Sequence, residues 1–169
     1  MKKICFYCIF LFILFPSVLH SKIVYIDINQ ILNESSAGKN ALNELENNIK
    51  SQNSKFSSKE KELIEEEKKI ITQKNILSEK DYNEKLVNLS KKVNDYNLYK
   101  SSQMKKFNDK KISLRNKFIE LINPIIADYA SSNNIDIVIR KEQMIIGKTE
   151  LDISTSILKL VNKKISKIK

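Results

Sequence analysis

The sequence predicts an α+β protein in which a long antiparallel helical hairpin, a coiled-coil-like arm, stands on a small β-rich oligomerisation body. Three observations carry that prediction. Residues 39–123 contain neither Gly nor Pro, so nothing in them breaks a helix by its φ preference or by a missing N–H. Inside that stretch apolar residues return every seven positions, the period of a coiled-coil seam. Outside it, short β-branched runs bounded by polar residues have the character of strands.

Met1-Lys2-Lys3 is a cationic start, residues 4–15 (ICFYCIFLFILF) are unbroken apolar, and Pro16 ends the run. Ser21 offers a small residue for cleavage, which completes the plan of a secretory signal peptide over residues 1–21. A retained membrane anchor is the alternative, but 12 apolar residues fall short of the ~20 that span a bilayer. Loss of residues 1–21 removes both Cys, the single His and two Lys, leaving 148 residues with a formal charge of +8. An exported chain without disulfides depends on packing and association for its stability. Export also argues against DNA as the natural ligand, so no nucleic-acid partner is expected despite the basic balance.

Ile23-Val24-Tyr25-Ile26 reads as the first strand, and the spacing after Asp27 turns helical through Leu32. Residues 33–38 (NESSAG) are the first turn-rich stretch, so 22–38 is assigned to the body and 39–122 to the arm. Leu42, Ile49, Phe56, Leu63, Ile70 and Leu77 keep a strict seven-residue spacing. So do Leu86, Val93, Phe107, Leu114 and Leu121, with Lys100 filling the gap. The two series differ in phase by two residues, which marks an interruption between Leu77 and Leu86. Ser78, with Asp81 three residues on, is a helix-capping signal and places the tip near residues 77–81. Folding back there sets Leu63 level with Val93 and Ile49 level with Phe107, in arms of about 40 residues or ~60 Å. One continuous helix with a phase skip is the alternative. The companion seam positions hold Gln52, Lys59, Glu66 and Gln73 on one arm and Gln103, Lys110 and Lys117 on the other. A half-polar seam predicts a pliable arm, open to contacts along its length.

Beyond the arm, Phe118, Leu121, Ile122, Ile125, Ile126 and Tyr129 form a dense helical stripe, in which Pro124 is expected to bend or restart the helix. Ile135-Asp136-Ile137-Val138-Ile139 reads as a second strand, and Met144-Ile145-Ile146, closed by Gly147, as a third. A last helix starts at Asp152-Ile153-Ser154 and carries Ile157, Leu158 and Val161. Segments 22–38 and 123–169 make a body of 64 residues. A body that small, with about three strands, exposes sheet edges and is marginal alone; association of copies is the expected remedy.

Charge is concentrated on the arm. Residues 68–92 carry seven Lys against Glu79, Asp81 and Glu84, and residues 100–117 carry seven Lys or Arg against Asp109. A solvated helix face accounts for part of this. The functional reading is a cationic surface for anionic partners: acidic unfolded chains, lipid headgroups or lipopolysaccharide. Chemistry is not in evidence. Glycine loops for phosphates are missing, the serines have no His after export, and Glu65-Glu66-Glu67 is a helical run rather than an acid–base pair. The chain reads as a non-enzyme with no cofactor and no metal.

Lys22-Ile23-Val24-Tyr25-Ile26-Asp27 followed by Ile31-Leu32-Asn33-Glu34-Ser35-Ser36-Ala37-Gly38-Lys39 resembles the opening of the Skp (OmpH-like) family of periplasmic chaperones. Tyr129-Ala130, Asn134 through Ile139, and Asp152-Ile153-Ser154 with Ile157-Leu158 resemble its close, although Arg140 stands where the family often has an acid. The resemblance implies a jellyfish-shaped homotrimer: a β-rich body joins three protomers, and three hairpins enclose a cavity. It implies an ATP-independent periplasmic holdase that keeps unfolded outer-membrane proteins soluble; lipopolysaccharide or an anionic lipid surface is a further candidate partner from the arm's charge. From the arm's own pattern, Phe56, Tyr82, Tyr96 and Tyr99 are the candidates for apolar client contact. Lys68, Lys69, Lys74, Lys80, Lys85, Lys91 and Lys92 are the candidates for charge. Ile23, Tyr25, Ile137, Ile139 and Ile145 are expected in the body core or between trimer subunits. The competing function is an exported coiled-coil spacer or adaptor of the cell envelope, which calls for a stiffer, filled seam.

Overall fold

The structure is a computed structural model describing residues 21–168; the signal-peptide reading falls on residues outside that range, Ser21 excepted. Strand β1 (Ile23–Ile26) passes through Asp27 into helix α1 (Ile28–Glu34). Asp27 starts the helix because its carboxylate accepts the Gln30 N–H at 2.9 Å, satisfying a donor that the first turn leaves free. Ser35 then works in both directions. Its N–H bonds the Ile31 carbonyl at 2.9 Å to finish α1, and its hydroxyl accepts the Gly38 N–H at 3.2 Å to cap helix α2 (Ser36–Thr72). The turn expected over 33–38 is therefore a break at one residue, and Gly38 lies inside the long helix. A Cβ at Gly38 would stand 1.9 Å from the Leu32 carbonyl oxygen, so only glycine lets α2 leave α1 this closely.

After Thr72 the chain turns over residues 73–78, a few residues earlier than expected, and Ser78 caps helix α3 (Glu79–Ser132). The Ser78 hydroxyl accepts the Asp81 N–H at 3.2 Å and donates to the Asp81 carboxylate at 2.7 Å. Two helices joined by a turn replace the continuous-helix alternative. Cross-links set their register: Gln73 to Lys85 at 2.8 Å, Glu66 to Lys92 at 2.6 Å and Glu60 to Lys100 at 2.6 Å. The last two bracket Leu63 and Val93, the pair expected to lie level.

Which residues of α3 fill the seam differs from expectation. Phe56, Leu63 and Ile70 of α2 are buried with Leu89 and Tyr96, and Phe107 is buried nearer the body, whereas Leu86, Val93 and Leu121 stay exposed. Leu89 and Tyr96 follow Leu86 and Val93 by three residues, so both series lie on nearly the same side of the helix. The roll of α3 against α2 chooses between them. Pro124 does not restart α3, which runs through it to Ser132. Ile122 and Ile125 are buried on either side of it, and that packing carries the helix past one lost hydrogen bond. Asn134 then takes a φ of 51°, a left-handed turn that Asn tolerates better than most residues.

Strand β2 (Ile137–Arg140) pairs parallel to β1, Ile23 opposite Ile137 through Ile26 opposite Arg140. A parallel pair needs a crossover, and the whole hairpin is that crossover. On the other side of β1, Tyr25 bridges Asp152 and its carbonyl accepts the Ile153 N–H at 3.0 Å. The third strand expected at 144–146 is not formed. A 3-10 turn (Lys141–Gln143) follows β2, and Ile145 and Ile146 are 104% and 91% exposed. Apolar composition alone does not make a strand: the segment runs along neither edge of the sheet, and Ile145 and Ile146 bury nothing.

Helix α4 (Ser154–Lys164) closes the body. The Ser154 hydroxyl accepts the Asp27 N–H at 2.8 Å, and the Asp152 carboxylate accepts the Ser154 N–H at 2.9 Å, fastening α4 to the end of β1. Val24, Ile26, Ile31, Phe118, Ile122, Ile157 and Val161 form the core between these elements. Burial of each such side chain contributes about 1.5–3 kcal/mol. Of the residues expected in the core, Tyr25 is buried and Ile139 half-buried, but Ile23, Ile137 and Ile145 are exposed on the single chain. With two short strands, the sheet has too little area to cover both ends of its outer positions.

Candidate functional site

The arm carries the chain's concentrated charge and much of its exposed apolar surface, and its geometry begins at Phe56. The Phe56 ring meets Tyr96 edge-on (centroids 6.3 Å, 74°) and Tyr99 likewise (6.1 Å, 76°), the arrangement that ring quadrupoles favour. The Tyr96 hydroxyl donates to Glu60 at 2.7 Å, and the Lys100 ammonium donates to the same carboxylate oxygen at 2.6 Å. Lys100 also stands 5.8 Å from the Phe56 centroid and 5.9 Å from that of Tyr96, within cation–π range. The Lys100 hydrogen bond, helped by that of Tyr96, holds the Glu60 carboxyl below its ordinary range. Glu60 in turn holds the Lys100 ammonium above its own. Burial, and then the bond to Glu60, pushes the Tyr96 phenol up. This node ties the two helices together midway along the arm.

On either side the seam weakens. Toward the tip Leu63, Ile70 and Leu89 alternate with the polar links Glu66–Lys92 and Gln73–Lys85. Toward the body the Gln52 side-chain oxygen is buried without a hydrogen-bond partner among the described residues, a cost of about 1–3 kcal/mol.

The outer half of the arm presents two different faces. On one, Lys69, Lys85, Lys91 and Lys92, with Glu66 and Asp95, line a furrow between α2 and α3. It runs into a cleft of about 430 Å³ formed by Phe56, Tyr96 and Tyr99 and edged by lysines. On the other face, Ile64 and Ile71 each lie one residue after a seam residue of α2. Leu86 and Val93 each lie three residues before a seam residue of α3. In antiparallel helices those offsets turn to the same side of the hairpin. All four are exposed, Ile71 at 54%. The arm therefore has an apolar stripe on one side and a cationic furrow on the other.

The sequence-derived candidates divide accordingly. Phe56 and Tyr96 are buried in the seam, Tyr82 packs half-buried against its outer cluster, and Tyr99 is half exposed. Lys69, Lys85, Lys91 and Lys92 share the furrow, while Lys68 pairs with Glu65 at 2.9 Å along α2. Lys74 and Lys80 are exposed beside the tip turn. The stripe of Ile64, Ile71, Leu86 and Val93 was not among the candidates. Its signal was present, since Ile64 and Ile71 directly follow Leu63 and Ile70 and repeat at the same interval. Among the described residues no group of His, Cys, Asp and Glu is placed to hold a metal ion, and no helix is long and apolar enough to cross a membrane.

The architecture is thus a two-helix arm with contrasting faces on a compact α/β body. Comparison with known proteins places that architecture in a family. Residues 22–161 match the family described as outer membrane protein (OmpH-like), and the chain belongs to that family. It is 27% identical over 176 residues to a Skp-like protein of Chlamydia pneumoniae, an alignment covering 99% of each chain. Its fold matches the crystal structure of a candidate outer membrane chaperone (OmpH-like) from Caulobacter crescentus, with a TM-score of 0.78 at 13% identity over 89% of each chain.

Proposed function

We propose that the protein is an ATP-independent periplasmic holdase, exported by a cleaved signal peptide, that keeps unfolded outer-membrane proteins soluble. Three copies join through the body, and their arms enclose a cavity in which a client is held. The observation that carries this reading is the pairing of an exposed apolar stripe with a lysine furrow on a half-polar arm. Ile64, Ile71, Leu86 and Val93 supply weak apolar contacts, and the lysines from Lys68 to Lys92 attract acidic stretches of the client. Each partly exposed side chain contributes about 1 kcal/mol, so many contacts retain the client while no single one orders it. Trimerisation is supported by the outer edge of β2, unpaired among the described residues, and by the exposure of Ile23, Ile137 and Ile145 on the single chain. The chaperone description of the Caulobacter protein points the same way. An envelope spacer would need a stiff, filled seam, which the polar links and Gln52 argue against.

The test dilutes a urea-unfolded outer-membrane β-barrel into buffer with and without mature protein (residues 22–169). Suppressed light scattering at one trimer per client is expected, and unchanged aggregation overturns the reading. Light scattering on the protein alone checks assembly; a stable monomer overturns the trimer.

A further inference from the structure

The cleft at Phe56 differs in kind from the rest of the arm. Its walls are three aromatic rings, and Tyr99, 49% exposed, leaves it open to solvent. Lys55, Lys59 and Lys92 edge it, with Asp95 an acid on the same rim. Lys92 and Lys59 already hold Glu66 and Glu62, at 2.6 and 2.8 Å, but Lys55 has no ion pair among the described residues. A volume of about 430 Å³ accommodates one aromatic side chain with part of its backbone. Tyr99 is the ring with exposed surface, and an incoming ring gains an aromatic contact with it that a branched aliphatic chain does not. The lysine furrow continues from the cleft toward the tip through Lys91, Lys85 and Lys69, so the segments flanking that ring meet positive charge.

We infer that this cleft is a binding site for an aromatic residue within an acidic, extended peptide segment. The inference rests on the client-holding reading and specifies what the arm selects: the cleft takes the ring, and the furrow takes neighbouring carboxylates. Tyr99 forms the exposed wall, and Phe56 and Tyr96 are fixed by the seam. The apolar stripe on the opposite face is made of separate aliphatic side chains and binds without preference.

Fluorescence anisotropy with dye-labelled nine-residue peptides on the full mature chain tests this. The probes are a peptide with one central Phe among Asp and Ser, its Phe→Ala version, and its Asp→Lys version. The Phe/Asp peptide is expected to bind about tenfold more tightly than either relative, since an aromatic edge contact or a pair of screened charges is of that order. Tyr99→Ala and the pair Lys55→Glu with Lys59→Glu are expected to remove the preference. Asn94→Ser, at an exposed position outside cleft, furrow and stripe, leaves it in place. Tyr99 and both lysines are surface residues, and circular dichroism confirms that the variants fold. Equal binding of the three peptides, or an unchanged preference in Tyr99→Ala, overturns the site. So does Tyr99-dependent binding of phosphatidylglycerol vesicles without peptide preference, which assigns the cleft to lipid. If the cleft fails while barrel aggregation is still suppressed, the holdase reading stands without it.

Discussion

Replacing Phe56 with Ala removes the ring on which the middle of the arm is assembled. Phe→Ala in a closed core costs about 3–5 kcal/mol. The seam between α2 and α3 is open to solvent on two sides and relaxes more readily, so the cost falls below that range, to about 2–3 kcal/mol. That figure includes the edge contacts to Tyr96 and Tyr99 and the Lys100 contact above the ring. None of the body core residues touches this cluster, since Val24, Phe118 and Val161 belong to a separate one. The loss should therefore be local. A 2 kcal/mol loss corresponds to about 30-fold faster amide exchange wherever exchange proceeds through arm opening. Hydrogen exchange with mass spectrometry is expected to register this in segments 52–70 and 89–107, with 118–128 unchanged. Equal acceleration in the body refutes the idea that arm and body are separate cooperative units. No acceleration in the arm refutes the role of Phe56 in holding it.

Two further expectations concern sign. Gly→Ala within a helix ordinarily stabilises by about 1 kcal/mol, but Gly38→Ala is expected to destabilise by about 1–3 kcal/mol because its Cβ overlaps the Leu32 carbonyl; a thermal melt at or above the parent's refutes this. For pH, Glu60 is depressed, so its contribution is present above the ordinary carboxylate range and is lost as pH falls through its folded value. Lys100 and Tyr96 are raised, so theirs is full below their ordinary values and is lost as pH rises past the folded ones. Helicity followed against pH should fall at both ends, and Glu60→Gln should flatten the acid limb; an unchanged acid limb in that variant removes Glu60 from the account.

Much of the arm was legible because a helix is a local structure. The absence of Gly and Pro, the heptad of Phe56, Leu63 and Ile70 and the Ser78 cap each act within a few residues of themselves. The identity of the facing residues was less legible. Leu86 and Leu89, or Val93 and Tyr96, are equally good candidates by spacing, and only contact with α2 turns α3 so that Leu89 and Tyr96 go inward. The choice creates the apolar stripe, because Leu86 and Val93 are the residues left outside. The third strand differs for a related reason. Met144-Ile145-Ile146 has strand composition, but composition does not supply a partner: the β1 edge away from β2 is bridged by Asp152, and the segment does not turn back along β2.

By itself, the sequence determined that two long helices fold back on each other from a small body, that their seam is half polar, and that the charge lies on the arm. Those properties follow from residue types and intervals along one chain. Tertiary structure decided the roll of the helices, the cleft at Phe56, the close exit of α2 at Gly38 and the exposure of Ile23, Ile137 and Ile145. Each of these depends on which surface of one element meets another. Periodicity defines a face for each helix, and only packing defines what that face looks at.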